Sequence, residues 1–281
     1  MNAFSLGLVV FSTFCHAYWN FALKRSNGGI RFMWLFTTIT VALYLPYMMT
    51  MDWTFPTMKT SLMCAGSFGF HFLYFLALDK AYQFGDLSII YPVARGLAPA
   101  VTVLIAIVLL HEQLTALQFA GVAIIVAGTF ALSGLSFRGG DKMAASVCYA
   151  IVCGLMVSSY TLIDKIAIAN AGVSPFVLDF VNNLGRSLLL MPVAFKDIAK
   201  LKETAKANWR DALIVAVLSP FSYLLILFAM RYAPVSLIAP IRQLSIVISG
   251  VIGIRFLQEN KTKMKLIGIG ATFCGVVLLS V

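Results

Sequence analysis

Charge is scarce in this chain: Asp, Glu, Lys and Arg together make up 11% of its 281 residues, against about 25% in an ordinary soluble domain. The acidic sign is rarer still, with 11 Asp plus Glu facing 21 Lys plus Arg for a formal charge of +10. No G-x-x-x-x-G-K, H-E-x-x-H or G-x-S-x-G occurs, so the nucleotide cradle, the zinc-binding helix and the nucleophile elbow are all missing. No basic stretch interleaved with aromatics is present either, which argues against a nucleic-acid partner. Cys15, Cys64, Cys148, Cys153 and Cys274 lie in apolar runs without metal-site or disulfide-framework spacing, and read as small buried side chains. Lys and Arg are absent from the first twenty residues; without the basic region of a cleavable signal, the first apolar run reads as a retained span.

What is abundant is apolar. Hydrophobic residues are 60% of the chain and the mean hydropathy is +0.92, more than a globule of this length can enclose, so the surface must face lipid. Membrane lipid is thus one partner, and the basic excess suits anionic headgroups. Apolar runs of about 20 residues predict ten helices near 3–23, 30–49, 58–82, 86–110, 116–133, 142–165, 174–194, 210–232, 235–256 and 263–280. The intervening 196–209 reads as the one loop long enough for several charges. The runs lack the alternation of barrel strands, so the fold class is an all-α membrane protein.

An internal repeat divides it. Glu112, Gly121, Gly128 and Ser133 recur as Glu259, Gly268, Gly275 and Ser280 at an offset of 147, and Ser88 and Pro92 recur as Ser236 and Pro240 at 148. Trp19, Asn20 and Lys24 fall opposite Tyr160, Thr161 and Lys165 across one short gap. The halves, 1–137 and 138–281, hold five spans each, and an odd number inserts the second upside down: two inverted five-helix repeats.

The segment Leu-Leu-His-Glu-Gln-Leu-Thr at 109–115 followed by Gly121, and its diverged copy Leu-Gln-Glu-Asn-Lys-Thr at 257–262 followed by Gly268, resemble the drug/metabolite transporter superfamily in its ten-helix EamA-type branch. The resemblance extends over essentially the whole chain. It implies a secondary transporter of small metabolites, with a central cavity between the halves and alternating access. His16-Ala-Tyr-Trp19-Asn20 with Lys24 also looks like a subgroup associated with phosphonate-utilisation genes.

Orientation follows from charge. Outside three deep arginines, fifteen of eighteen Lys and Arg fall in the loops after the odd-numbered spans; Lys59, Lys165 and Arg231 fall opposite. The positive-inside rule puts the odd loops in the cytoplasm and both termini outside, whereas the family pattern puts the termini inside. A duplicated inverted fold can be inserted either way, so the charge distribution is the stronger expectation.

Ionisable groups deep in a span face a cavity or a partner. Arg95 and Arg242 sit nine and seven residues into oppositely directed spans, roughly 10 to 14 Å deep at 1.5 Å per residue, so both approach the midplane. Arg186 is similarly deep. Asp179 lies about a turn inside its span, while Asp164 and Asp79 lie near span ends. The cavity should be net positive, and guanidinium forks suit carboxylate or phosphonate groups. Snorkelling, binding of carbonyls freed by Pro92, Pro99 or Pro240, or pairing with Asp179 would instead make the arginines structural.

His16, Trp19 and Asn20 share one helical face, as do His71 and Tyr74. Trp19, Tyr74, Tyr91, Tyr160 and Tyr223 could line a pocket as cation-π faces or hydroxyl donors, or simply pack. Gln243 is a further candidate ligand; Asn182 and Asn183 are ligands or interhelical links. Glu112 and Glu259 read as helix-capping groups, and the paired glycines as sites of close helix approach. The candidate substrate-binding set is thus His16, Trp19, Asn20, His71, Tyr74, Tyr91, Arg95, Tyr160, Arg186, Tyr223, Arg242 and Gln243, with no catalytic or metal-binding residue and no cofactor.

The function expected is non-ATP transport of an anionic or zwitterionic metabolite, of amino acid or aminophosphonate type, by a monomer in the plasma membrane. A proton or ion gradient would drive uphill movement, with His16, His71 and Asp179 as the deep titratable candidates. A multidrug or cationic-compound exporter is the alternative, then an intramembrane lipid-headgroup enzyme. An ion channel would need charge rings or a carbonyl filter, which the sequence lacks.

Overall fold

A computed structural model describes residues 1–26, 29–51, 57–84, 87–132, 141–248 and 263–280. It is all-helical in these segments. The ten helices are α1 (Ala3–Arg25), α2 (Gly29–Thr50), α3 (Met58–Phe84), α4 (Leu87–Leu110), α5 (Ala116–Leu132), α6 (Asp141–Ala169), α7 (Pro175–Phe195), α8 (Ile198–Tyr232), α9 (Val235–Ile241) and α10 (Lys263–Ser280). Residues 249–256 of the ninth predicted span lie outside the described residues.

Among the described residues, four helical segments meet both length and apolarity requirements for crossing a membrane: Ala3–Leu23, Gly29–Thr50, Val147–Ala169 and Ile198–Tyr232. Shorter apolar stretches fall in α4, α5, α9 with its continuation, and α10. With 21 residues α7 is long enough, but it carries Asp179, Asn182, Asn183 and Arg186. The first three of these are buried against other helices rather than turned to lipid.

The helices assemble by pairs. α1 packs on α8, α3 on α6, α2 on α7 and α8, α4 on α6 and α9, and α5 on α10. Large apolar side chains such as Phe4, Phe11, Leu104, Val108 and Phe273 point outward, which suits a lipid-facing surface. Cys148 and Cys274 are on that outer surface as well, while Cys15 and Cys153 are buried and Cys64 is intermediate; these five are free thiols. The expectation that all five are buried therefore holds in full only for Cys15 and Cys153, and Cys148 and Cys274 overturn it. A thiol is apolar enough to face lipid, so apolar sequence context alone does not place it inside.

The stretch 196–209 is not a loop. After Asp197 the chain is helical from Ile198 and joins the membrane part of α8 through one non-helical residue, Asn208 (φ −122°, ψ 17°). Asp197 caps this helix, its Oδ1 accepting from the Lys200 backbone N–H at 3.0 Å; that bond, with the nearby Lys200 charge, holds its carboxyl below the ordinary carboxylate range. Lys and Ala are good helix formers, and Leu201 supplies a buried anchor, so a charged segment here helicises rather than loops. At the bend Arg25 grips Asp211, Nε donating to Oδ2 at 3.2 Å and Nη2 to Oδ1. This fork ties the end of α1 to α8 and raises the affinity of Arg25 for its proton.

α4 ends in a left-handed turn. His111 has φ 53° and the Glu112 N–H reaches back to the Ala106 carbonyl at 3.2 Å, a closure one residue wider than the six-to-one bond of a Schellman motif. A non-glycine residue in this region carries a conformational cost, and here it aims Glu112 across the protein. Glu112 Oε1 accepts from the Val235 N–H and Oε2 from the Ser236 N–H, both at 2.9 Å. Glu112 is therefore a capping group, as expected, and the helix it caps is α9. Lys165 does the complementary job: its Nζ donates to the Met230 and Ala233 carbonyls at 2.6 and 2.9 Å, at the end of α8. Glu259 lies outside the described residues.

Candidate functional site

α9 does not run on as one bent span. Its regular ladder ends at Ile241, and the next bonds close over three residues: Gln243 N–H to Pro240 O at 2.9 Å, Ser245 N–H to Arg242 O at 3.1 Å, Ile246 N–H to Gln243 O at 2.9 Å. Pro240 has no N–H to give and its ring crowds the preceding turn, which breaks the helix at this point. Helix resumes at 244–248. Arg242 thus stands at an interruption in the middle of an apolar segment, where irregular backbone is tolerated only if it lines a cavity or is buried in protein.

A small polar pocket adjoins it, lined by Arg242, Ser245, Ser12, Thr13 and His16. This brings His16 of α1 to Arg242, a juxtaposition that sequence distance hides. Gln243 is buried beside them, and its Oε1 has no hydrogen-bond partner among the described residues.

A second group forms where α3, α6, α7 and α8 converge. His71 stacks on Tyr160 with ring centroids 3.7 Å apart and planes at 21°, and Tyr223 meets the histidine edge-on at 5.7 Å. Tyr74 contacts Tyr160 edge-to-face at 6.3 Å. His71 Nδ1 lies 2.9 Å from the Ser67 carbonyl, so the tautomer protonated at Nδ1 donates to it. Four predicted residues therefore form one aromatic wall. Arg186 is within electrostatic range of all three tyrosines and of Asp179, while Arg242 and Arg186 both act on His71.

The buried acids have their own partners. Asp179 accepts from Tyr44 Oη at 2.6 Å and from Asn183 Nδ2 at 3.0 Å. Asp164 is 0% exposed and accepts from Ser67 Oγ at 2.6 Å and from the Tyr223 hydroxyl. Its expected peripheral position is overturned: it is near the end of α6 in sequence, but α3 and α8 enclose it there. Asn182 Nδ2 donates to Ser67 Oγ at 3.2 Å. Asn182 and Asn183 are thus interhelical and intrahelical links. Hydroxyls and amides satisfy the carboxylates, and neither the Arg186 nor the Arg242 guanidinium has a hydrogen bond or ion pair among the described residues. The pairing of Arg186 with Asp179 is not formed.

Other candidates are placed elsewhere. Trp19 contacts His16 at 4.8 Å, but its ring packs in a cluster with Phe32, Phe36 and Ala212, and its Nε1 has no partner there. Asn20 donates to its own helix at the His16 carbonyl, 2.7 Å away. Tyr91 and Arg95 lie on α4, with side chains outside the described set; so do the side chains of Lys24 and Asp79. Sequence reasoning passed over Ser67 and Tyr44, and left Asp164 out of the candidate set by placing it near a span end. Ser67 and His71 are four apart on α3, a pattern that marks one face, and this was the available signal.

Comparison with known proteins adds the following. Residues 144–281 match the EamA-like transporter family. A crystal structure of a protein matches with a TM-score of 0.77 at 17% identity, covering 99% of this chain and 96% of that chain; at that identity the likeness shows the fold alone. No curated protein sequence matches.

Proposed function

We propose that this chain, whose residues 144–281 match the EamA-like transporter family, is a multi-pass secondary transporter of small solutes and that it carries an anionic or zwitterionic metabolite. The cargo is of amino acid or aminophosphonate type, as the phosphonate-associated likeness at His16–Asn20 also suggests. It binds near the midplane between two inverted repeats, 1–137 and 138–281, and is released by alternating access.

The observation that carries the cargo class is the pair Arg186 and Arg242: deep guanidinium groups without hydrogen bond or ion pair among the described residues, one of them at a helix break. A buried cation lacking a partner is costly. A carboxylate or phosphonate offers two oxygens to each fork and removes that cost. The packing supports the repeat: exchanging each helix for the one five along turns the α1–α8 contact into α6–α3, α2–α8 into α7–α3 and α4–α6 into α9–α1, while α2–α7, α4–α9 and α5–α10 map onto themselves.

Thermal shift of the purified protein against L-glutamate, 2-aminoethylphosphonate, choline and cationic dyes tests the reading, since a native-state ligand raises apparent stability. Stabilisation by an anion or zwitterion is expected. Arg242→Ala and Arg186→Ala should each weaken it about 10- to 100-fold, the loss of a charge-assisted hydrogen bond worth about 1.5–3 kcal/mol. Normal anion binding by both variants removes the cargo class. Stabilisation by the dyes alone supports the cation exporter instead, a reading favoured by the Asp164 and Asp179 carboxylates beside the aromatic wall.

The basic residues that follow the odd-numbered spans, including Lys196 and, in the first turns of α8, Lys200, Lys202, Lys206 and Arg210, favour an orientation with these segments in the cytoplasm and the termini outside. A cysteine introduced at Asn2 in a cysteine-free background should react with an impermeant maleimide in intact cells. Protection there, with labelling after permeabilisation, reverses the topology.

A further inference from the structure

We infer that Asp164 is the proton-carrying group of this transporter and that it binds its proton together with the anionic cargo, so that the two move in the same direction. The inference rests on the anion-transport reading and adds to it the coupling ion and the residue that carries it.

Two observations lead here. The first is the burial of the carboxylate: Asp164 is fully enclosed, with hydroxyl donors from two different helices, Ser67 of α3 and Tyr223 of α8, and no Lys or Arg within ion-pair distance among the described residues. The second is an orphan. Asn182 is 2% exposed, its Nδ2 donates to Ser67 Oγ, and its Oδ1 has no partner among the described residues.

Together they make a hydrogen-bond chain that runs in either direction. With Asp164 ionised, Asn182 donates to Ser67 and Ser67 donates to Asp164, as observed. With Asp164 protonated, its new O–H donates to Ser67 Oγ, the serine hydroxyl turns to donate outward, and a flip of the Asn182 amide brings Oδ1 round to accept it. The acceptor that is idle in one state is used in the other. Only the amide oxygen and nitrogen of Asn182 exchange places, and the added carboxyl proton and the serine proton each keep an acceptor. A hard metal cation fits less well, because it needs about six oxygens with free lone pairs, whereas both carboxylate oxygens here already accept from hydroxyls.

The direction of coupling follows from charge. Arg242, just past the end of α9, is the cation within electrostatic range of Asp164 among the described residues, and Asp179 of α7 is the second acid. Cys64 and His71 face the site from α3 and Tyr223 from α8; on α4 the Arg95 side chain is outside the described set. Lys165, next in sequence, is turned away to the end of α8. An anion seated on Arg242 cancels the positive charge that favours the ionised carboxylate, so anion and proton bind cooperatively, each increasing the affinity of the other by the same factor.

Two measurements on the full chain in lipid bilayers test this. Infrared difference spectra taken between about pH 5 and 8 should show a protonated-carboxyl band that Asp164→Asn removes. Tyr223→Phe, which keeps the ring and deletes one donor, should retain the band and move its midpoint. In parallel, L-glutamate, whose net charge is nearly constant between about pH 6 and 8, should bind more tightly as pH falls, by up to about tenfold per unit for one fully coupled proton, with proton uptake on binding. Asp164→Asn should flatten that dependence.

Absence of an Asp164-dependent band overturns the inference, whether or not glutamate binds. A pH-independent glutamate affinity in the wild type, an unchanged slope in Asp164→Asn, or an affinity that follows sodium rather than pH overturns it too. If the band titrates while no anion binds, the cargo reading is what fails and the proton site stands.

Discussion

Glu112→Ala is expected to destabilise the protein by about 3–6 kcal/mol, the sum of two charge-assisted hydrogen bonds of about 1.5–3 kcal/mol each. Both carboxylate oxygens are committed, one to the Val235 N–H and one to the Ser236 N–H, and these amides begin a buried helix. Water is the usual substitute for a lost cap, but little reaches the first turn of α9, where Val235 and Ser236 are 0% exposed. The negative charge also complements the positive end of the helix. Glu112→Gln leaves one acceptor oxygen and puts a donor opposite an N–H, so it should lie between wild type and Ala. Urea or heat unfolding followed by tryptophan fluorescence in detergent measures the loss. Since α9 leads directly to Arg242, the same variants should weaken anion binding; full stability in Glu112→Ala would mean that another group caps α9.

Gly275→Leu is the second large effect, expected to cost at least about 3 kcal/mol, because overpacking a tight contact already costs about 1–3 when the obstacle is a side chain. Here the obstacle includes backbone: a Cβ at Gly275 would lie 2.7 Å from the Gly121 carbonyl oxygen and 2.6 Å from Ile125 Cγ1. The approach is reciprocal, with a Cβ at Gly121 meeting the Gly275 carbonyl oxygen at 2.9 Å. Neither helix can accept a larger residue without separating from the other. Gly270 on the same helix has nothing within 4 Å of an added Cβ, so Gly270→Leu should leave stability close to wild type. Equal melting temperatures for the two variants would mean that α5 and α10 do not pack this closely.

The lines of this fold that could be read from residues alone are those with a period or a length. Nine of the ten predicted spans begin within two or three residues of the observed helices, because a run of about 20 apolar residues has one stable form in a membrane. The exception, the start of α8, shows the rule's limit: Ile198 to Ala207 is polar enough to look like a loop, and it is helical because it has a cap in Asp197 and a buried face at Leu201. The glycines at 121 and 275 were legible through their seven-residue partners, Gly128 and Gly268, as a close helix contact. The break at Arg242 was half legible: Pro240 announces a disturbance, but whether the helix bends or stops depends on what the freed groups meet.

The sequence by itself determined the helical class, the places of most helices and the presence of segments apolar enough to cross a membrane, since these follow from hydropathy and from a fixed rise per residue. Only the tertiary structure decided which polar groups satisfy one another. Asp164 with Ser67 and Tyr223, Asp179 with Tyr44, Glu112 with α9 and His16 with Arg242 each join residues from 59 to more than 200 positions apart. A hydrogen bond depends on distance and direction to a few tenths of an ångström, and helix periodicity fixes only which face a side chain is on, leaving the neighbour it meets to the way the helices cross.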